Sequence, residues 1–150
     1  MKKITVLLLL FVFLATACSS SEPEQLTLLE GEEAEEVALF LQSYKEEMIH
    51  SVNTGDFNHL EPYLITNNSF YHSVRRYTSD LHGENTTKEL NLFEVEAVYE
   101  DEIGELHADV NETVTINEHG VKNEVTRSLR FEIVRGGNDS LRIITIKARK

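Results

Sequence analysis

The stretch Leu92-Phe93-Glu94-Val95-Glu96-Ala97-Val98-Tyr99-Glu100 decides the fold class. Before it, apolar residues recur every three or four positions; from here on they alternate. Phe93, Val95, Ala97 and Tyr99 take one face of a strand, with Glu94, Glu96 and Glu100 opposite. Asp101-Glu102 and Gly104 then mark a turn. Leu106, Ala108, Val110, Glu112, Val114 and Ile116 alternate through a second strand, and Glu118-His119-Gly120 turns the chain again. Val121, Val125, Leu129, Phe131 and Ile133 mark a third strand. Gly136-Gly137-Asn138-Asp139 is the strongest hairpin signal, and Leu141, Ile143, Ile144 and Ile146 form the fourth strand. The outer face of this sheet is expected to carry Glu94, Glu96, Arg127 and Arg130 towards water.

Working back from the sheet, Val37, Leu41, Tyr44, Met48 and Val52 form a helical stripe from Glu32 onward, with Lys45, Glu46 and Glu47 assigned to the opposite face. Glu32, Glu33, Glu35 and Glu36 suit the positive end of the helix dipole, and Gly55 supplies the stop. Asp56 is placed to cap a short second helix holding Leu60, Tyr63 and Leu64, which Pro62 limits. Asn67-Asn68-Ser69 opens a third helix, with Phe70, Val74, Tyr77 and Leu81 on one stripe and an end at His82-Gly83. Helices followed by strands indicate an α+β fold. The expected assembly is three helices packed on the concave face of a curved four-stranded antiparallel sheet.

The N-terminus reads separately. Met1-Lys2-Lys3 precedes fourteen residues, Ile4 to Ala17, without a charged or amide side chain, the pattern of a signal peptide. As a helix these span about 21 Å, short against a bilayer core of about 30 Å. The segment ends Ala15-Thr16-Ala17-Cys18, followed by three serines, and Cys18 is the only cysteine of the chain. This resembles the lipobox of bacterial lipoproteins, with Ala15 where Leu is usual. It implies cleavage after Ala17 and lipid on Cys18. The expected organisation is a signal peptide over 1–17, a lipidated cysteine and flexible tether over 18–31, and a single domain over 32–150. Leu26, Leu28 and Leu29 interrupt the polarity of the tether, so they are candidates to dock on the domain.

The formal charge of −12 becomes −14 once Lys2 and Lys3 leave with residues 1–17. Such a surface argues against nucleic acid or anionic headgroups as partners.

Two local strings carry a family resemblance. Asn53-Thr54-Gly55-Asp56-Phe57, followed by Leu60-Glu61-Pro62-Tyr63-Leu64, closes the long helix; Leu92-Phe93-Glu94-Val95-Glu96-Ala97-Val98 opens the sheet. Over roughly residues 33–148 the chain resembles the NTF2-like domain at the C-terminus of TcaA, the teicoplanin-resistance-associated membrane proteins of Gram-positive bacteria. The resemblance implies an NTF2-like (cystatin-like) cone, an extracytoplasmic location and a role in the cell envelope. TcaA proteins also carry a zinc ribbon, a transmembrane helix and further domains; here a lipid anchor is expected in their place.

Candidate sites follow from residue types. An NTF2-like enzyme such as ketosteroid isomerase needs an Asp base facing an apolar pocket, with Tyr and protonated Asp donors. Tyr44, Tyr63, Tyr71 and Tyr77 offer hydroxyls, yet Asp56, Asp80, Asp101, Asp109 and Asp139 mostly fall at turns, caps or solvent-facing positions. None of His50, His59, His72, His82, His107 and His119 has metal-ligand spacing, and His107 and Asp109 are assigned to the outer face of one strand. Arg75-Arg76 are expected to pair with nearby carboxylates or, on the sharper reading, to contact an anionic wall polymer or headgroup. Arg142, Lys147, Arg149 and Lys150 form a second basic cluster. No catalytic, metal or cofactor residue is assigned; Cys18 is the one site residue.

The expected function is therefore a lipid-anchored, non-catalytic binding or scaffolding module on the extracytoplasmic face of the cell membrane. Its partners are the membrane through the lipid, and an envelope protein or cell-wall ligand. Two alternatives stand beside it: an enzyme using the concave pocket, and a structural module that dimerises through its sheet.

Overall fold

The computed structural model describes residues 25–150; Cys18, the cleavage site after Ala17 and the start of the tether lie outside the described residues. Five strands, β1 (Leu26–Leu29), β2 (Thr87–Asp101), β3 (Leu106–Glu118), β4 (Val121–Arg135) and β5 (Leu141–Ala148), form one antiparallel meander in chain order. Two α-helices, α1 (Glu32–Thr54) and α2 (Ser69–Gly83), supply the helical layer.

The α+β class holds, while the element count differs from the expectation of three helices and four strands. The expected second helix is only a single 3-10 turn, Glu61–Tyr63, with Pro62 inside it. Asp56 caps no helix; its Oδ1 accepts the Asn58 N–H at 3.0 Å in a local turn. The extra strand is β1, in the segment read as tether, where Leu26–Leu29 pair with Val98–Asp101. Alternating Leu residues give that short segment an edge strand's pattern, which its polar flanks obscured.

Local chemistry explains the helix ends. Gly55 sits at φ 78 and its N–H donates to the Ser51 carbonyl at 2.9 Å, closing α1 in a left-handed conformation. At the start of α2 the Asn68 side chain accepts the Tyr71 N–H at 2.7 Å. The 3-10 turn is tied to the sheet by a parallel bridge from Leu64 to Ile143.

The inward sheet face meets α1 and α2 through Val98, Leu106, Ala108, Val110, Phe131, Ile133 and Ile143, packed on Val37, Leu41, Tyr44 and Val52. Each such side chain contributes about 1.5–3 kcal/mol when fully buried. Register shifts between Leu90 and Leu92 and between Val95 and Ala97 alter the expected alternation. Phe93 and Val95 face inward as expected. Beyond the second shift Val98 takes the inward place, opposite Ala108, while Ala97 and Tyr99 pair with Asp109 and His107 of the outer face. An extra residue in one strand reverses every later side chain, and simple alternation cannot register it.

Candidate functional site

Glu112 shares the phase of Val110 and Val114, so β3 directs it beneath the helices, where it is 1% exposed. Its cross-strand neighbours are Phe93 on β2 and Arg127 on β4. Arg127 is therefore on the inward face, in phase with Val125 and Leu129, and not on the outer face as expected. Lys45 also departs from expectation. It lies four residues after Leu41 and three before Met48, which places it on the buried side of α1, 4% exposed. There its Nζ lies 2.6 Å from Glu112 Oε2.

Next to this pair stands Lys88 of β2, 5% exposed and opposite Ile116. Its ammonium donates to the Tyr77 hydroxyl and lies 4.6 Å from that ring's centre. Arg127 lies close enough to the same hydroxyl for its charge to act on it. α2 thus delivers Tyr77 to the point where two cationic side chains from the sheet converge. Tyr77 is 39% exposed and Arg127 is exposed, so the cluster reaches the surface at this end of the cone.

Burial dominates the electrostatics. It pushes the Lys45 ammonium down, against the opposing charge and hydrogen bond of Glu112. Lys88 is pushed down to about 8 by burial, then by the Arg127 charge, with Glu112 partly restoring it. Burial raises Tyr77, and it raises Tyr44 further with help from the Glu112 charge.

Beyond the charged cluster, aromatic rings pack against one another in the interior. Tyr44 meets Phe131 edge-on at 6.1 Å, Phe93 meets Phe131 at 6.2 Å, and Tyr63 packs between Phe40 and Tyr44. None of the five aspartates weighed as a base enters this interior. Asp56 and Asp101 hold turns, Asp80 and Asp139 are exposed, and Asp109 is on the outer face. Of the tyrosines, Tyr71 donates to Glu61 at 2.5 Å, so its hydroxyl is committed outside the cone.

The outer sheet face is more ordered than solvated charges imply. His107 is buried, with Nε2 3.0 Å from Asp101 Oδ2, and Asp109 is buried between Arg130 and Arg149. Arg130 grips Asp109 through two bonds of 2.7 and 3.0 Å. Lys147 pairs with Glu132 and Arg149 with Glu96, so half of the C-terminal basic cluster is balanced locally. These groups border a cleft of about 490 Å³ that also reaches His107 and Lys150. Asp101, Glu105 and His107 bring ligand-type atoms within 4.8 Å of one another, a grouping their spacing did not suggest. Asp101 Oδ1 already accepts the Ile103 and Glu105 N–H groups, so the trio works as a hydrogen-bonded turn. Arg75 reaches the Tyr71 hydroxyl and the Phe57 ring, not a carboxylate. Among the described residues no helix is long and apolar enough to cross a membrane.

Comparison with known proteins agrees with this architecture. The TcaA protein NTF2-like domain matches residues 33–147. An uncharacterised protein of Alkalihalophilus pseudofirmus is 50% identical over 143 residues, covering 95% of this chain and 93% of its own. Among solved structures, a Catenulispora acidiphila protein in complex with S-DNPA is 15% identical with a TM-score of 0.56, covering 75% of this chain and 92% of that one. The intermembrane space region of the chloroplast protein ARC6 is 11% identical with a TM-score of 0.55, covering 79% and 98%. At these identities the two structures speak for the fold alone.

Proposed function

We propose, from the premise that this chain belongs to the TcaA NTF2-like domain family, that it is a lipid-anchored, non-catalytic binding or scaffolding module of the bacterial cell envelope. The observation that carries the non-catalytic part is the state of the cone. Among the described residues, the one buried inward carboxylate, Glu112, is held by Lys45, and aromatic rings pack beside it. A carboxylate base needs an apolar pocket and a free lone pair aimed at substrate. Glu112 has its charge committed to an ammonium 2.6 Å away.

Anchoring is supported by the sequence, in which a basic start, an apolar run and Ala15-Thr16-Ala17-Cys18 stand in order. More than one acyl chain makes such an anchor stable. The location follows from the anchor: the extracytoplasmic face of the cell membrane, with an envelope protein or wall component as partner.

A second reading, an enzyme, has one observation in its favour. Burial holds the Lys88 amine at about 8, within the range where lysine acts as a base or nucleophile. The two readings separate on chemical crosslinking of the lipidated protein in its native envelope, with partners identified by mass. The binding reading expects a defined crosslinked partner and no turnover. Amine-dependent turnover of a small molecule, lost in Lys88→Met, would support the enzyme instead.

A further inference from the structure

Among the described residues, positive charge outnumbers negative at this end of the cone. Lys45, Lys88 and Arg127 converge on a single carboxylate, Glu112, which Lys45 already neutralises. Among the described residues, neither Lys88 nor Arg127 has a carboxylate in ion-pair contact, and their shared partner is the neutral Tyr77 hydroxyl. A buried ammonium without a counter-charge is costly, and the cost is relieved by losing the proton or gaining an anion. Loss of the proton relieves the burial of Lys88 itself but leaves the guanidinium of Arg127 charged at the surface beside it.

Geometry favours the anion. Arg127 and Tyr77 are exposed, so an anion can reach them from solvent beside the buried Lys88 ammonium. A guanidinium offers a planar fork to two oxygens of a carboxylate or phosphate, and an ammonium adds a point charge behind it. The Tyr77 hydroxyl, accepting from Lys88 with the Arg127 charge nearby, has its own proton left to donate.

We infer that Lys88, Arg127 and Tyr77 form a binding site for an oxyanion group, a carboxylate or a phosphate, at the mouth of the cone. The inference rests on the binding reading above and names the ligand chemistry; it is independent of the lipid anchor.

The test uses the whole chain in a non-ionic detergent. Thermal unfolding and calorimetric titration are followed with sodium phosphate and, separately, sodium acetate, each against sodium chloride at equal ionic strength. The expected result is a saturable rise in Tm with at least one oxyanion that chloride does not reproduce. The tighter arm identifies the preferred group. Lys88→Met and Arg127→Gln are each expected to weaken that binding by about tenfold or more, the loss that follows removal of one charge-assisted hydrogen bond. Lys88→Met without added oxyanion is expected to fold at least as stably as the wild type, which keeps the affinity comparison valid. The proposal is overturned if neither oxyanion differs from chloride, or if both variants bind as the wild type does, which would mark an adventitious ion only. If it fails while envelope crosslinks persist, the binding reading stands with a different ligand. If oxyanions bind and no crosslink partner exists, the binding reading loses its envelope partner and this site remains.

Discussion

Lys45 Nζ lies 2.6 Å from Glu112 Oε2, and both side chains are almost completely buried between α1 and β3. Taking both charges from water costs nearly what their attraction returns. Removing one partner strands the other. Glu112→Leu or Lys45→Met alone is therefore expected to destabilise the fold by about 3–5 kcal/mol, read by urea unfolding. The double variant is expected to recover most of that loss, or to exceed the wild type. Two single losses that simply add would show that the pair is not coupled.

Lys88 makes stability depend on alkaline pH. Its folded pKa of about 8 lies below the ordinary 10.5, so between those values the unfolded chain binds more protons than the folded one. Stability then rises as pH climbs through that window. Lys45, also pushed down, acts in the same direction. Tyr44 and Tyr77, pushed up, act oppositely once pH passes their ordinary value of about 10. Unfolding followed in chloride buffers should show a maximum near pH 10, and Lys88→Met should flatten the climb towards it. A climb that survives in the variant would assign it to another group.

Gly55 serves two purposes, and substitution should reveal both. At φ 78 a Cβ is strained, and it would stand 2.7 Å from the His82 ring. Gly55→Ala is expected to cost about 1–3 kcal/mol by thermal unfolding. Gly83→Ala, where nothing lies within 4 Å of the added carbon, is the contrasting control and should be neutral or slightly stabilising.

The edge strand β1 should matter to the domain. A chain beginning at Gly31 loses the pairing of Leu26–Leu29 with Val98–Asp101 and the packing of Leu29 on the core. Urea unfolding should show a loss of about 1–3 kcal/mol, with light scattering rising as the edge of β2 is uncovered. Unchanged stability would return this segment to the role of a tether.

Much of this arrangement was legible before the structure, and the failures share a cause. Period told helix from strand: the stripe of Val37, Leu41, Tyr44 and Val52 is the buried face of α1, and Leu106, Ala108 and Val110 are the inward row of β3. Where charge was used to decide which side faces water, the reading failed. Lys45 and Arg127 stand in phase with apolar neighbours, and phase, not charge, sets their direction, as it did for Glu112 in its apolar row. That signal was available at both positions. Their convergence with Lys88 and Tyr77 was not, because it depends on how two helices and three strands meet. The shift at Val95 and Ala97 likewise leaves no trace in the pattern. Composition concealed β1, whose four residues lie between acidic and serine-rich neighbours.

Anchoring is the claim on which location and partners depend, and Cys18 tests it directly. Intact mass and partition into a detergent phase are compared for the protein expressed in a bacterial host and its Cys18→Ala variant. The account predicts a wild-type chain that begins at Cys18, carries added acyl mass and enters the detergent phase, while the variant lacks the acyl mass and stays in water. Identical partition of the two, with no acyl mass on the wild type, would contradict it.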